Sequence, residues 1–262
     1  VTGHVLSVGL EGLYEQLNSP RVGEDLAQRG RLGSYVQDEW QPAKADAVTL
    51  LSGFRFDYDT RFGLYLTPRG GVALSLTDNL RLRASYGRSY RAPSFREMYL
   101  DFANPSVGYR VDGNPDLRPE TAWSFNADLR YRRAFGCAAS LCGVELGART
   151  FDNRLDDLIT TDTVFEAPGE TTRFGYVNVG SAVTRGAAGR AKVELGEHFE
   201  FGGDYQWLDA RNETTGELLP GRARHSGGVT SVAKVGPEPK WQTQIRTRAQ
   251  ITGAREFSPP EE

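Results

Sequence analysis

From Leu80 to Arg91 the chain reads LRLRASYGRSYR, apolar or aromatic at every second position except Arg88, with polar, basic or glycine residues between. A period of two belongs to an extended strand, whose side chains point alternately to opposite faces. One face is oily and the other carries arginine, so neither resembles the buried side of a packed core.

The same rhythm runs through the chain. Leu6, Val8, Leu10 and Tyr14 alternate with Ser7, Gly9, Glu11 and Glu15, and Leu32, Val36 and Trp40 with Arg31, Gln37 and Glu39. Phe54, Phe56 and Tyr58 oppose Arg55, Asp57 and Asp59, and Leu64, Leu66, Val72 and Leu74 oppose Tyr65, Arg69 and Ser75. Trp123, Phe125 and Leu129 face away from Asn126, Asp128 and Arg130. Later segments repeat the pattern at Val144–Ala148, Val177–Val179, Ala191–Leu195, Phe199–Trp207 and Trp241–Ile251. The reading gives about eleven strands and no convincing helical period. Only 39% of the residues are hydrophobic, yet 11% are aromatic and there are 30 glycines, which suits strands that are half polar.

The connections alternate between long and short. Long polar ones occupy 18–27, 92–119, 161–172 and 211–222, and short ones fall at PAKADA, TDN, GEH, GPEPK and the cysteine turn, with a short TRFG as the exception. Long loops at one end and tight turns at the other are the asymmetry of an outer-membrane barrel. A water-soluble sandwich also alternates, but its strands are shorter. Aromatic residues near the ends of the apolar stripes fit the two interfaces of a bilayer. In hydrocarbon each backbone amide must be paired by a neighbouring strand, so such a sheet belongs to a closed barrel.

Other functions find little support. A net charge of −3 gives no basic surplus for nucleic acid. His4, His198 and His225 lie far apart in sequence and none adjoins a Gly-flanked serine, so no catalytic residue is assigned. Asp152, Asp156, Asp157 and Asp162 lack the spacing of a calcium loop and read as solvated acids or as bridges to lipopolysaccharide, so no metal and no cofactor is assigned. Cys137 and Cys142 lie five residues apart, and they read as a disulfide closing a turn in an oxidising compartment, with free thiols as the alternative.

The segment SYGRSYRAPSFREMYL followed by GNPDLRPETAWSFNADLRYR resembles a block of the TonB-dependent outer-membrane receptors. In the same order come FDNRLDDLITT, FGYVNVGSAVTRGAAGRAKVEL and FEFGGDYQWLDARNETTGELLPGRARH. Where the family commonly has G-V-E, this chain has Gly186-Ala187-Ala188-Gly189-Arg190, which leaves the strand register there open.

The resemblance implies an all-β fold: a transmembrane antiparallel β-barrel fragment of about 11 up-and-down strands out of an expected 22. Residues 1–262 then form a partial barrel domain, approximately strands 9 to 19, without the plug domain and TonB box that precede the barrel. An incomplete barrel predicts an open sheet with two unpaired edges. The implied function is TonB-energised uptake of a scarce nutrient across the outer membrane of a Gram-negative bacterium. An iron–siderophore complex is the first expectation for the cargo, and cobalamin, haem or glycan uptake, or a passive porin or adhesin barrel, are alternatives. Implied partners are TonB, the plug of the same protein, outer-membrane lipid and lipopolysaccharide, and the ferric siderophore.

Two residue sets follow. Arg81, Arg83, Arg130, Arg149, Arg246 and Arg248 are expected to face the lumen, where a hydrated wall meets the plug. In the long loop, Tyr99, Asp101, Phe102, Asn104, Tyr109 and Arg110 mix stacking surfaces with polar groups and are the candidate ligand contacts, while Arg91, Pro93 and Phe95 are expected to hold the loop in place.

Overall fold

Each long strand hydrogen-bonds to the next long one in sequence, and among the described residues the departures from that rule gather in one loop. The computed structural model describes residues 3–22, 26–42, 47–135, 141–165, 172–196, 198–219, 221–236 and 243–254. The strands are β1 (His4–Leu17), β2 (Ala27–Trp40), β3 (Val48–Asp59), β4 (Gly63–Thr77) and β5 (Leu80–Arg91). A short helix α1 (Phe95–Tyr99) and a hairpin of β6 (Asp101–Asn104) and β7 (Tyr109–Asp112) follow. Then come β8 (Glu120–Ala134), β9 (Leu141–Phe165), β10 (Thr172–Leu195), β11 (Phe199–Asn212), β12 (His225–Val235) and β13 (Thr243–Thr252).

The path β1-β2-β3-β4-β5-β8-β9-β10-β11-β12-β13 contains the eleven wall strands that the alternation predicts. Its pairs are all antiparallel, and β1 and β13 stand at its two ends. Cross-strand register fixes the faces, because residues directly opposite each other in an antiparallel pair share a side. Val36 lies opposite Val8 and Phe54, Phe56 opposite Leu66, Leu82 opposite Leu74 and Leu129, and Val229 opposite Ala249. These side chains form one continuous apolar face that no other element among the described residues covers, with Leu10 82% and Val229 62% exposed.

Aromatic residues mark both ends of that face. His4 stacks on Trp40 near the short-turn end, and Tyr86 stacks on Trp123 near the long-loop end. On β1, His4 and Tyr14 are ten residues apart, about 33 Å along the strand at about 3.3 Å per residue. Tilted by about 40°, that length spans the roughly 25 Å apolar band of an outer-membrane barrel.

Two expectations need correction, and one open point is resolved. The connection expected at 161–172 is entered by strand from both sides, since β9 runs to Phe165 and β10 begins at Thr172. Apolar alternation is required only where a strand crosses hydrocarbon, so the outer part of this hairpin is β structure without that signal. A helix does exist: Phe95–Tyr99 is too short to display a 3.6-residue period, and its marker is the capping box of Ser94 and Glu97. Through Gly186–Arg190 the register runs unbroken, with Gly186 opposite Phe151 and Leu208 and Arg190 opposite Gly147 and Asp204.

Candidate functional site

At the long-loop end β10 overshoots β11, because their ladder stops at Ala182↔Asn212 while β10 continues back to Thr172. A free edge of this kind is an open template for another strand. β7 occupies part of it, pairing in parallel from Thr172↔Tyr109 to Gly175↔Asp112. On its other side the hairpin meets the β1–β2 connection, where Asp101 N–H donates to Arg21 O at 2.8 Å and Leu100 bridges Val22. The 92–119 segment therefore reaches across the wall from β10 to the β1–β2 connection.

Its base is held by charge-assisted bonds. Arg91 donates to both Glu97 (3.0 Å) and Glu120 (2.8 Å), and Glu97 accepts from Ser94 N–H at 2.7 Å and Ser94 Oγ–H at 2.9 Å. Burial pushes the Glu97 carboxyl up, but the Ser94 hydrogen bonds and the Arg91 guanidinium outweigh it and leave Glu97 below its ordinary value. Arg29 of β2 donates to Pro93 O at 2.6 Å and lies over the Phe95 ring at 5.1 Å. Met98 and Pro93 are fully buried beneath these contacts.

Beyond the hairpin the chain is clipped to β10. Asn114 Nδ2 donates to Tyr176 O at 2.9 Å, and Arg118 N–H donates to Asn178 Oδ1 at 2.8 Å. Gly113 N–H donates to Leu100 O at 2.6 Å, an approach so close that a Cβ there would lie 2.5 Å from the Leu100 and Tyr99 nitrogens. Only glycine fits. Asn114 and Asn178 are functional in the sense of placing the loop, and they were visible in the sequence only as family landmarks.

Hairpin register divides the candidate ligand contacts between two faces. Asp101 and Arg110 share one face with Asp112 and Arg173, whereas Phe102, Asn104 and Tyr109 share the other with Val111 and Phe174. The charged face is internally paired: Arg110 reaches Asp101 at 3.0 Å and Asp112 at 2.5 Å, and Arg173 reaches Asp112 at 2.6 Å. Burial raises the Asp112 carboxyl, but hydrogen bonds and charge from Arg110 and Arg173 outweigh it and hold Asp112 below the usual carboxylate range. The second face is aromatic, with Phe102 and Tyr109 centroids 6.0 Å apart and Tyr109 edge-on to Phe174 at 6.4 Å. Tyr99 stands apart from both, its hydroxyl accepting from Arg61 at 2.5 Å.

The six arginines singled out in the sequence all fall on the face opposite the apolar one. Arg81 lies directly across from Arg130, Arg83 across from Asp128, and Asp128 across from Arg149. On β13, Arg246 and Arg248 lie opposite Val232 and Thr230 and alternate with the apolar Ile245 and Ala249. A recess of about 850 Å³ on this polar face is lined by Glu39, Arg83, Asn126, Asp128 and Arg149 among others.

The acids weighed for a metal are dispersed. Asp152 pairs with Arg154 at 3.2 Å, Asp156 accepts from Ser181 Oγ–H at 3.0 Å and Asp157 pairs with Arg118 at 2.6 Å. Among the described residues no group of three or more side chains is placed to hold a metal ion. Cys142 is not a free thiol, and Cys137, the other half of the expected disulfide, lies outside the described residues.

Comparison with known proteins agrees with this architecture. An iron-regulated outer membrane virulence protein of Vibrio cholerae is 28% identical over 223 residues, covering 80% of this chain and 33% of the relative. The vitamin B12 transporter BtuB of Vibrio vulnificus is 28% identical over 226 residues, covering 84% of this chain and 32% of the relative. This chain thus spans about a third of the length of the curated relatives it matches. In fold it is similar to the siderophore receptor PirA from Pseudomonas aeruginosa, with a TM-score of 0.75 at 19% identity over 97% of this chain and 45% of that one. The family described as TonB dependent receptor-like, beta-barrel, matches residues 10–259, and the chain belongs to that family of outer-membrane receptors.

Proposed function

We propose that this chain is part of the barrel wall of a receptor that captures a scarce ligand outside the cell and imports it, using TonB acting on a plug domain. The cargo of this reading is an iron–siderophore complex. One observation carries it: the outer hairpin turns an aromatic and amide face, Phe102, Asn104 and Tyr109 with Phe174, away from its self-paired charged face. Flat aromatic and amide groups suit a large chelate, whose rings stack and whose oxygens accept hydrogen bonds. Asp101, Arg110 and Tyr99 serve this reading as supports that hold the hairpin's shape and bind at its rim. The name of the iron-regulated relative points the same way, and that of the vitamin B12 transporter keeps cobalamin as the second cargo.

The wall arginines have a matching role, as partners for carboxylates and amides of the plug. The test uses the full-length receptor in a strain lacking its own ferric-siderophore uptake. Growth under iron limitation is expected with a ferric siderophore, to be abolished without TonB and weakened by Phe102→Ala with Tyr109→Ala. Uptake of cobalamin or haem alone would replace the cargo, and uptake independent of TonB would return the chain to a passive porin.

A further inference from the structure

On β11, Asp209 follows Trp207 by two residues and shares its apolar-side orientation, yet its side chain is only 5% exposed. Three arginines cover it. Arg185, directly opposite on β10, reaches it at 3.1 Å, Arg211 at 2.9 Å and Arg224 at 3.6 Å. Each of these arginine side chains is itself 38 to 55% exposed. Arg154 on β9 lies in the same cross-strand row as Arg211, through Val183, and pairs with Asp152. Four guanidinium groups thus stand against two carboxylates, a surplus of two positive charges. Asp156, one pleat further out, is engaged by Ser181.

The position of this cluster is unusual for a strand exterior. Asp209 and Arg211 lie two and four residues beyond Trp207, about 7 and 13 Å along the strand at about 3.3 Å per residue. Trp207 and Tyr205, whose hydroxyl bonds His225 at 2.7 Å, belong to the aromatic belt. With a barrel tilt of about 40°, the arginines sit about 5 to 10 Å outside the hydrocarbon, which is the depth of lipid head groups. Planar guanidinium groups bind phosphate oxygens in a bidentate manner, and Asp209 orients three of them in advance.

We propose that Arg185, Arg211 and Arg224, with Arg154 beside them, bind a phosphate of lipid A, the head group of outer-leaflet lipopolysaccharide. The inference rests on the outer-membrane placement of the chain and is independent of the cargo. The test measures retention of bisphosphorylated lipid A by the full-length receptor in detergent. Arg185→Gln, Arg211→Gln and Asp209→Asn are combined so that no buried carboxylate is orphaned. Retention is expected to fall about tenfold, the scale of one lost charge-assisted hydrogen bond, with cargo uptake unchanged. Arg154→Gln with Arg211→Gln, which leaves two arginines on Asp209, gives the same reading at smaller amplitude should the triple change fail to fold. Equal retention by the variants, or equal binding of dephosphorylated lipid A, overturns the proposal. Equal binding of phosphatidylglycerol overturns the assignment to lipid A in favour of any anionic lipid.

Discussion

Arg118 and Asn178 hydrogen-bond reciprocally, backbone to side chain: Arg118 N–H donates to Asn178 Oδ1 at 2.8 Å, and Asn178 Nδ2 donates back to Arg118 O at 2.9 Å. The pair joins the end of the 92–119 segment to β10, sixty residues further along the chain. The same amide also satisfies Asp157 O, where the β9 backbone turns through φ 56°. Replacing Asn178 with Ala leaves three backbone groups without this partner, at about 1 kcal/mol or more for each that water does not reach. Limited proteolysis is expected to cut the 92–119 segment several-fold faster in Asn178→Ala, with the wall strands still protected. Unchanged cleavage would mean that the loop is held by its other ties.

Glu97 gives the loop a pH dependence of definite sign. Its folded-state value lies below the ordinary glutamate value, so the stabilisation is complete above about pH 4.3 and is lost as pH falls through the lower folded value. Protonation removes the carboxylate that Arg91 and Ser94 share. Relative to intrinsic exchange at each pH, protection of the α1 amides is expected to fall as the pH drops below about 4.3 in the parent protein. In Glu97→Gln exchange is faster at pH 7 and lacks that acid step. An acid step of equal size in both proteins would assign it to another group, such as Asp112, which is also held low.

Much of the wall was legible because a bilayer enforces it. Leu80, Leu82, Ala84 and Tyr86 must meet lipid while Arg81, Arg83 and Ser85 must not, so period and face follow from the order of residue types. Outside the hydrocarbon that constraint ends. Thr160 to Phe165 is strand without apolar alternation, paired to β10 by backbone bonds that any residue types supply. The helix at Phe95 was encoded by Ser94 and Glu97, a two-residue signal that a search for periodicity passes over. Which residues of β7 join Asp101 on one hairpin face and Phe102 on the other depends on β6–β7 register, which the loop sequence does not declare.

Gly113 tests whether loop placement depends on backbone contact rather than on side chains. A Cβ at this position meets backbone atoms of Met98, Tyr99 and Leu100, which cannot move aside as a flexible side chain does. Gly113→Ala is expected to displace α1 from β7 at a cost of about 1 to 3 kcal/mol, the usual range for overpacking. Fluorescence of a label at Val107, 71% exposed near the hairpin tip, is expected to report greater mobility. Ligand affinity should fall with it, while the heat stability of the barrel changes little.

Val229 and Thr230 are adjacent on β12 and predict opposite responses to the same substitution. Val229 is 62% exposed on the apolar face opposite Gly203 and Ala249, whereas Thr230 lies on the polar face opposite Gly202 and Arg248. An arginine on the lipid side near the bilayer midplane costs about 2 to 4 kcal/mol, falling towards zero at the interfaces. Val229→Arg is therefore expected to lower the folded, heat-modifiable fraction of full-length receptor in outer membranes. Thr230→Arg adds a charge to a hydrated wall that already carries Arg246 and Arg248, and the folded fraction is expected to stay near that of the parent. Equal tolerance at both positions would overturn the assignment of the two faces, because the one-residue offset between them is the only difference the experiment probes.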